Sequence, residues 1–195
     1  MRRFFALFIL SLFCLSTACA QVEYSAAELK QQGIALYSQN DIEGAYRVFS
    51  QMDERERDSE IYVLMGNILQ DQNKPIEAIY HLQKAIDLDY RNYKAYYNLG
   101  NLYLEDNKLN QAIKNYEKAI KYKPEFAYSY YNMGICEYRL YQYKKAKRSF
   151  VKAMTKKPGE PDFYYNLSLT YTKLNNPAKA KEAMDVYTKL KNEKI

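Results

Sequence analysis

Residues 93–126 come back, altered but in register, as residues 127–160, and that recurrence constrains the fold more than any other feature of the chain. Counted from Tyr93, the landmarks are Tyr96, Leu99, Gly100, Tyr103, Ala112, Tyr116, Ala119 and Pro124. Sliding the frame by thirty-four residues gives units that begin at Ser59, Tyr93, Ala127 and Pro161. Position 8 is then Gly66, Gly100, Gly134 and Ser168; position 20 is Ala78, Ala112, Ala146 and Ala180; position 24 is Leu82, Tyr116, Phe150 and Met184. A further unit beginning at Ala26 carries Gly33, Ala45, Phe49 and Met52 with one residue fewer before its successor, so the deletion belongs between Asp53 and Ser59. The units are 26–58, 59–92, 93–126, 127–160 and 161–194, and residues 53–60, DERERDSE, are expected to form an irregular charged turn. A single unit of this length cannot bury both its faces, so a sustained period of this kind means a stacked array.

Each unit reads as two helices. Tyr96, Leu99, Gly100 and Tyr103 fall at i, i+3, i+4 and i+7, and Ala112, Ile113, Tyr116, Ala119 and Ile120 make a second apolar stripe. Between the stripes, position 15 is Asn40, Asn73, Asn107 and Asn175, a residue suited to a left-handed helix-ending conformation. Pro75 and Pro177 follow two residues later, where proline suits the first turn of a helix. The fourth unit departs with Tyr141 at position 15 and Glu137 at position 11. Glycine at position 8 and alanine at positions 20 and 27 remove bulk where helices meet, leaving room for Tyr, Leu and Phe.

The aromatic, Leu-Gly, Tyr, Ala-x3-aromatic and Pro spacing resembles the tetratricopeptide (TPR) repeat. The resemblance implies an all-α fold, an open superhelix of about five helix-turn-helix repeats, with the first helix of each unit on a concave face that holds a protein or peptide partner. On that face it places Lys94, Tyr97, Asn98 and Asn101 of the third unit, Tyr128, Tyr131, Asn132, Ile135 and Tyr138 of the fourth, and Tyr165, Asn166 and Leu169 of the fifth. Asn98, Asn132 and Asn166 share position 6. A carboxamide offers both donors and an acceptor, and helices ~10 Å apart would present one Asn to about every third residue of a peptide extended at ~3.4 Å per residue. Two roles stay open for these asparagines: a ladder for a peptide backbone, or bonds within the array. The basic clamp that some co-chaperones use on a C-terminal carboxylate is not matched, because Lys30 is followed by Ile34 where that clamp needs Asn.

Charge is polarised along the array. Residues 21–92 hold seven Lys or Arg against thirteen Asp or Glu, and residues 93–195 hold twenty against ten, so one end is acidic and the other basic. Lys144, Lys145, Lys147, Arg148, Lys152, Lys156 and Lys157 concentrate on the second helix of the fourth unit, a run that suits an anionic lipid or acidic protein as well as a solvated face. No nucleic-acid recognition motif is present. There is one histidine, His81, and no H-E-x-x-H, G-x-S-x-G, glycine-rich phosphate loop or Cys/His cluster, so the expectation is a non-enzymatic chain with no metal and no cofactor. Cys136 stands at position 10 among Ala35, Ile68, Leu102 and Thr170, which reads as a small packed residue.

The N-terminus carries a different message. Arg2 and Arg3, an uncharged and mostly apolar run from Phe4 to Leu15, and the small-residue end Ala18-Cys19-Ala20 read as a signal peptide over residues 1–20. Cleavage after Ala20 would leave Gln21 first; LSTAC also resembles a lipoprotein signal with Cys19 as the lipidated residue, although Ser16 stands where a large aliphatic residue is usual. Both routes imply export, to the periplasm or the outer membrane, the second with membrane attachment through Cys19. At the other end, Met184, Val186, Tyr187 and Leu190 lie on the last helix with no capping helix after them, a surface for a homo-oligomer. The expected function is a protein-interaction scaffold of the bacterial envelope; a small-ligand or glycan carrier, or a self-assembling envelope component, are the alternatives.

Overall fold

A computed structural model describes residues 24–193; the signal-peptide segment, Cys19 and Gln21 lie outside the described residues. It contains ten α-helices in five antiparallel pairs: α1 Ala26–Ser38 with α2 Ile42–Gln51, α3 Ser59–Asp71 with α4 Pro75–Leu88, α5 Tyr93–Glu105 with α6 Leu109–Tyr122, α7 Ala127–Arg139 with α8 Tyr143–Lys156, and α9 Pro161–Lys173 with α10 Pro177–Glu193. Each odd helix also packs on the even helix before it, and α3, α5, α7 and α9 touch in succession, forming the inner layer of the array.

The turn inside each pair follows from one backbone requirement. Asn40, Asn73, Asn107 and Asn175 sit at φ 64°, 57°, 57° and 55°, and Tyr141 takes the same place in the fourth unit at φ 61°. The left-handed residue lets the next N–H reach back five residues: Asp41 to Leu36, Lys74 to Leu69, Lys108 to Tyr103, Gln142 to Glu137 and Asn176 to Tyr171. That bond satisfies a carbonyl the ending helix would otherwise leave open. Helix starts are fixed where sequence supplies a cap. Ser25 and Glu28 form a reciprocal capping box, and Asp41, Asp58 and Asn92 accept from Gly44, Ile61 and Ala95.

Packing within each pair turns on position 8. A Cβ added to Gly33 would lie 2.3 Å from the Phe49 ring, to Gly66 2.8 Å from Leu82, to Gly100 2.5 Å from Tyr116, and to Gly134 2.8 Å from Phe150. Phe49, Leu82, Tyr116 and Phe150 are fully buried, so helices close to ring-on-backbone distance. Cys136 is fully buried as well, and burial pushes its thiol up to about 12, which leaves it protonated at neutral pH.

Residues 53–60 are irregular but not without structure. Residues Glu54–Glu56 form a 3-10 turn, and Ser59 and Glu60 already belong to α3. The carbonyls at the end of α2 have no partner within the helix; Arg57 Nη2 donates to Ser50 O at 3.0 Å and to Met52 O, at the cap, at 2.8 Å. His81 lies beneath this segment among Tyr46, Tyr62 and Tyr80. Burial first, then Arg57, lower its pKa against the opposing pull of Glu77 and Glu54. A base with a depressed folded pKa is stabilising in its neutral form above the unfolded value near 6.5, and that stability is lost as pH falls through the folded value. Thermal melts should therefore show Tm declining below neutrality, with a shallower decline in His81→Gln.

Candidate functional site

Odd helices supply the concave face, and the predicted residues divide on it by depth. Lys94 and Tyr165 are exposed. Tyr97 and Tyr131 are half-buried: Tyr97 meets Phe126 edge-on at 4.9 Å, and Tyr131 lies 4.6 Å from Phe163. Desolvation raises both phenols, Tyr131 to about 12. These rings join one unit to the next rather than standing free. Tyr128 is held by Lys157, whose Nζ donates to its hydroxyl at 2.6 Å, and it packs on Phe126 and Phe163. Ile135 packs into the core around Phe150, and Tyr138 turns to Tyr143 at 5.2 Å. Leu169 is half-buried, and Tyr165 reaches Tyr187 on α10 at 5.3 Å.

The asparagines form a continuous stitch between units. Asn98 Nδ2 donates to Asn67 Oδ1, Asn132 Nδ2 to Asn101 Oδ1 at 2.9 Å and to the Tyr97 hydroxyl at 3.2 Å, and Asn166 Nδ2 to the Tyr131 hydroxyl at 2.8 Å. Tyr116, from inside the pair, donates to the same Asn101 oxygen at 2.9 Å. The donors of position 6 thus face the preceding unit, which is the within-array role; the acceptor oxygens of Asn98, Asn132 and Asn166 take no bond from the described residues.

A hollow of about 350 Å3 opens on the same face one unit earlier, lined by Tyr37, Glu60, Val63, Leu64, Asn67 and Lys94, with the α4–α5 turn at Asp89, Arg91 and Asn92. Val63 and Leu64 form an apolar floor at positions 5 and 6, where later units place Tyr and Asn. Only Lys94 of this set belongs to the face predicted from units three to five. The same frame slid back to Ser59 would have named Glu60, Val63, Leu64 and Asn67; the repeating Tyr-Asn pattern drew attention to the later units instead. Lys30, at the neighbouring edge, is committed to Asp58 at 2.6 Å and Glu60 at 2.9 Å, so its ammonium is not directed at a ligand carboxylate. Among the described residues no group of His, Cys, Asp and Glu could hold a metal ion, and no helix is long and apolar enough to cross a membrane.

An open stack of helical pairs, with a grooved inner layer and its chemistry spread along a surface, defines a protein-interaction scaffold. A TPR repeat profile matches residues 66–107 and 100–140, a tetratricopeptide repeat profile matches residues 161–193, and together they span more than half of the sequence. The chain belongs to the tetratricopeptide repeat family. Among solved structures it is similar to a crystal structure of MamA, at 24% identity and TM-score 0.75 over 83% of this chain and 95% of that one. It is also similar to MamA residues 41 to the end from Desulfovibrio magneticus RS-1, at 20% identity and TM-score 0.77 over 86% and 96% of the two chains. A third likeness is to YrrB, described as a TPR protein with an unusual peptide-binding site, at 21% identity and TM-score 0.69 over 85% and 86%. At these identities the likeness is one of fold. Comparison with curated proteins gave no match.

Proposed function

We propose that this protein is a non-enzymatic adaptor of the bacterial cell envelope that holds an extended or helical segment of a partner protein along its concave face. The observation that carries the reading is the hollow floored by Val63 and Leu64. It offers an apolar seat for one anchoring side chain, with Glu60 and Asp89 beside Lys94 and Arg91 for polar contacts around it. Beyond it the face continues past the free oxygens of Asn98, Asn132 and Asn166 to the exposed Tyr165. Interfaces concentrate their energy in such anchor-and-pocket contacts surrounded by weaker ones. YrrB, with the same fold, is described by its peptide-binding site. A small-ligand carrier would enclose most of its ligand, whereas this hollow is open to solvent along the groove. The envelope setting rests on the N-terminal sequence, Arg2 through Ala20.

A photoreactive residue in place of Lys94 should cross-link a single partner segment, while the same residue in place of Glu77, exposed on α4, should not. Equal labelling from both positions would refute a concave site. Mass spectrometry of the mature chain should find either lipidated Cys19 or Gln21 at the N-terminus; an intact Met1 in cells would refute the envelope setting.

A further inference from the structure

The outer face of the fourth unit breaks two local rules at one place. Tyr141 occupies the left-handed turn position that the other four units give to Asn, at φ 61°, and its ring is 80% exposed. A bulky side chain in that conformation costs folding free energy that Asn largely avoids. Immediately after it, α8 carries six Lys or Arg and no Asp or Glu, two of the six being Lys144 and Lys145 in its first turn, where the helix dipole repels cations. Lys156 is paired with Glu125, and Lys157, just past the helix end, with Glu160; Lys144, Lys145, Lys147, Arg148 and Lys152 make no ion pair with any described residue. Glu137, the acid whose field reaches Lys145 and Arg148, is buried, its charged form disfavoured by desolvation and its carboxylate occupied by Ser149 Oγ at 2.6 Å.

These groups share one surface. Tyr141, Tyr143, Lys144 and Lys145 line a single shallow hollow, and Tyr141 meets Tyr143 edge-on at 6.3 Å. Arg148 continues the Lys144 row one helical turn on, and Val151, exposed, continues it again. A projecting phenol beside a cation row matches the interface of a charged bilayer, where tyrosine sits at headgroup depth and each basic residue adds attraction to anionic lipid.

We infer that Tyr141, Tyr143, Lys144, Lys145 and Arg148 form a docking surface for an anionic lipid bilayer, at the α7–α8 turn and along the start of α8. The surface acts independently of any lipid at Cys19.

The test is partition of the full chain between buffer and vesicles of phosphatidylcholine, with and without a minority of phosphatidylglycerol. Phosphatidylglycerol should strengthen binding, and added salt should remove the gain. Changing Lys144, Lys145 and Arg148 together to Gln should weaken the anionic gain by about five-fold per charge, ~100-fold in all. Those side chains are exposed, so helicity should be unchanged. Tyr141→Asn should weaken binding to the anionic vesicles several-fold while raising Tm by about 1–3 °C, which separates docking from folding. Equal binding to both kinds of vesicle would assign attachment to the N-terminal segment and overturn the inference. So would a triple variant that still gains fully from phosphatidylglycerol. A salt-sensitive dimer in solution, lost in the triple variant and without any anionic gain, would assign the patch to the acidic half of a second copy and likewise overturn it.

Discussion

Tyr116→Ala should lower stability by about 3–5 kcal/mol, and in that background Gly100→Ala should change sign. Tyr116 is fully buried, lies against the Gly100 backbone and donates to Asn101, so its removal leaves a cavity and an acceptor with one partner fewer. In the wild-type protein an alanine Cβ at position 100 would sit 2.5 Å from the Tyr116 ring. Overpacking of that kind costs about 1–3 kcal/mol, which outweighs or cancels the ~1 kcal/mol that alanine gains over glycine in a helix. Without the ring only the gain remains, so the second substitution should stabilise. A double-mutant cycle by denaturant unfolding measures the coupling directly. Additive behaviour would mean that position 8 does not set the spacing of the pair. Because contacts run mainly between neighbouring units, weakening the third should also split unfolding into two steps rather than shift one transition.

Leu64→Arg should weaken partner binding by roughly 30-fold or more, the scale of losing a central hot-spot contact. Leu64 is half-buried on the floor of the concave hollow, where a guanidinium on a long stem fills the space and charges it. The matched control is Ile76→Arg, because Ile76 is 84% exposed on α4 and outside that hollow. Titration of the cross-linked segment as a synthetic peptide should show the loss in the first variant and wild-type affinity in the second. The reverse pattern would move the site to the outer face.

The turn chemistry and the close packing at position 8 were legible in the sequence because each is fixed by a local rule, Asn at position 15 and Gly at position 8, that holds in four of the five units. Asn40, Asn73, Asn107 and Asn175 announce a left-handed turn; Tyr141 departs from that rule in sequence, yet the structure gives it the same conformation at φ 61°. The site was legible only in part. Position 5 looked outward by helical phase, yet Tyr97 and Tyr131 lean onto Phe126 and Phe163 of following segments, a contact made across units that no single-helix pattern contains. For the same reason the asparagine donors turned out to bridge units. The hollow was missed because it depends on a difference between units: Val63 and Leu64 where the template has Tyr and Asn. Repetition reveals the scaffold, and departures from repetition mark where the scaffold is specialised.

Tyrosines stand on both sides of the array, which makes hydroxyl-radical footprinting the most direct measure of where a partner lies. With the cross-linked segment bound, Tyr37 beside the Val63–Leu64 floor and Tyr165 further along the groove should lose reactivity, while Tyr80 and Tyr141, 52% and 80% exposed away from it, should react as before. Protection of Tyr80 or Tyr141 with Tyr37 and Tyr165 unchanged would contradict a concave binding face.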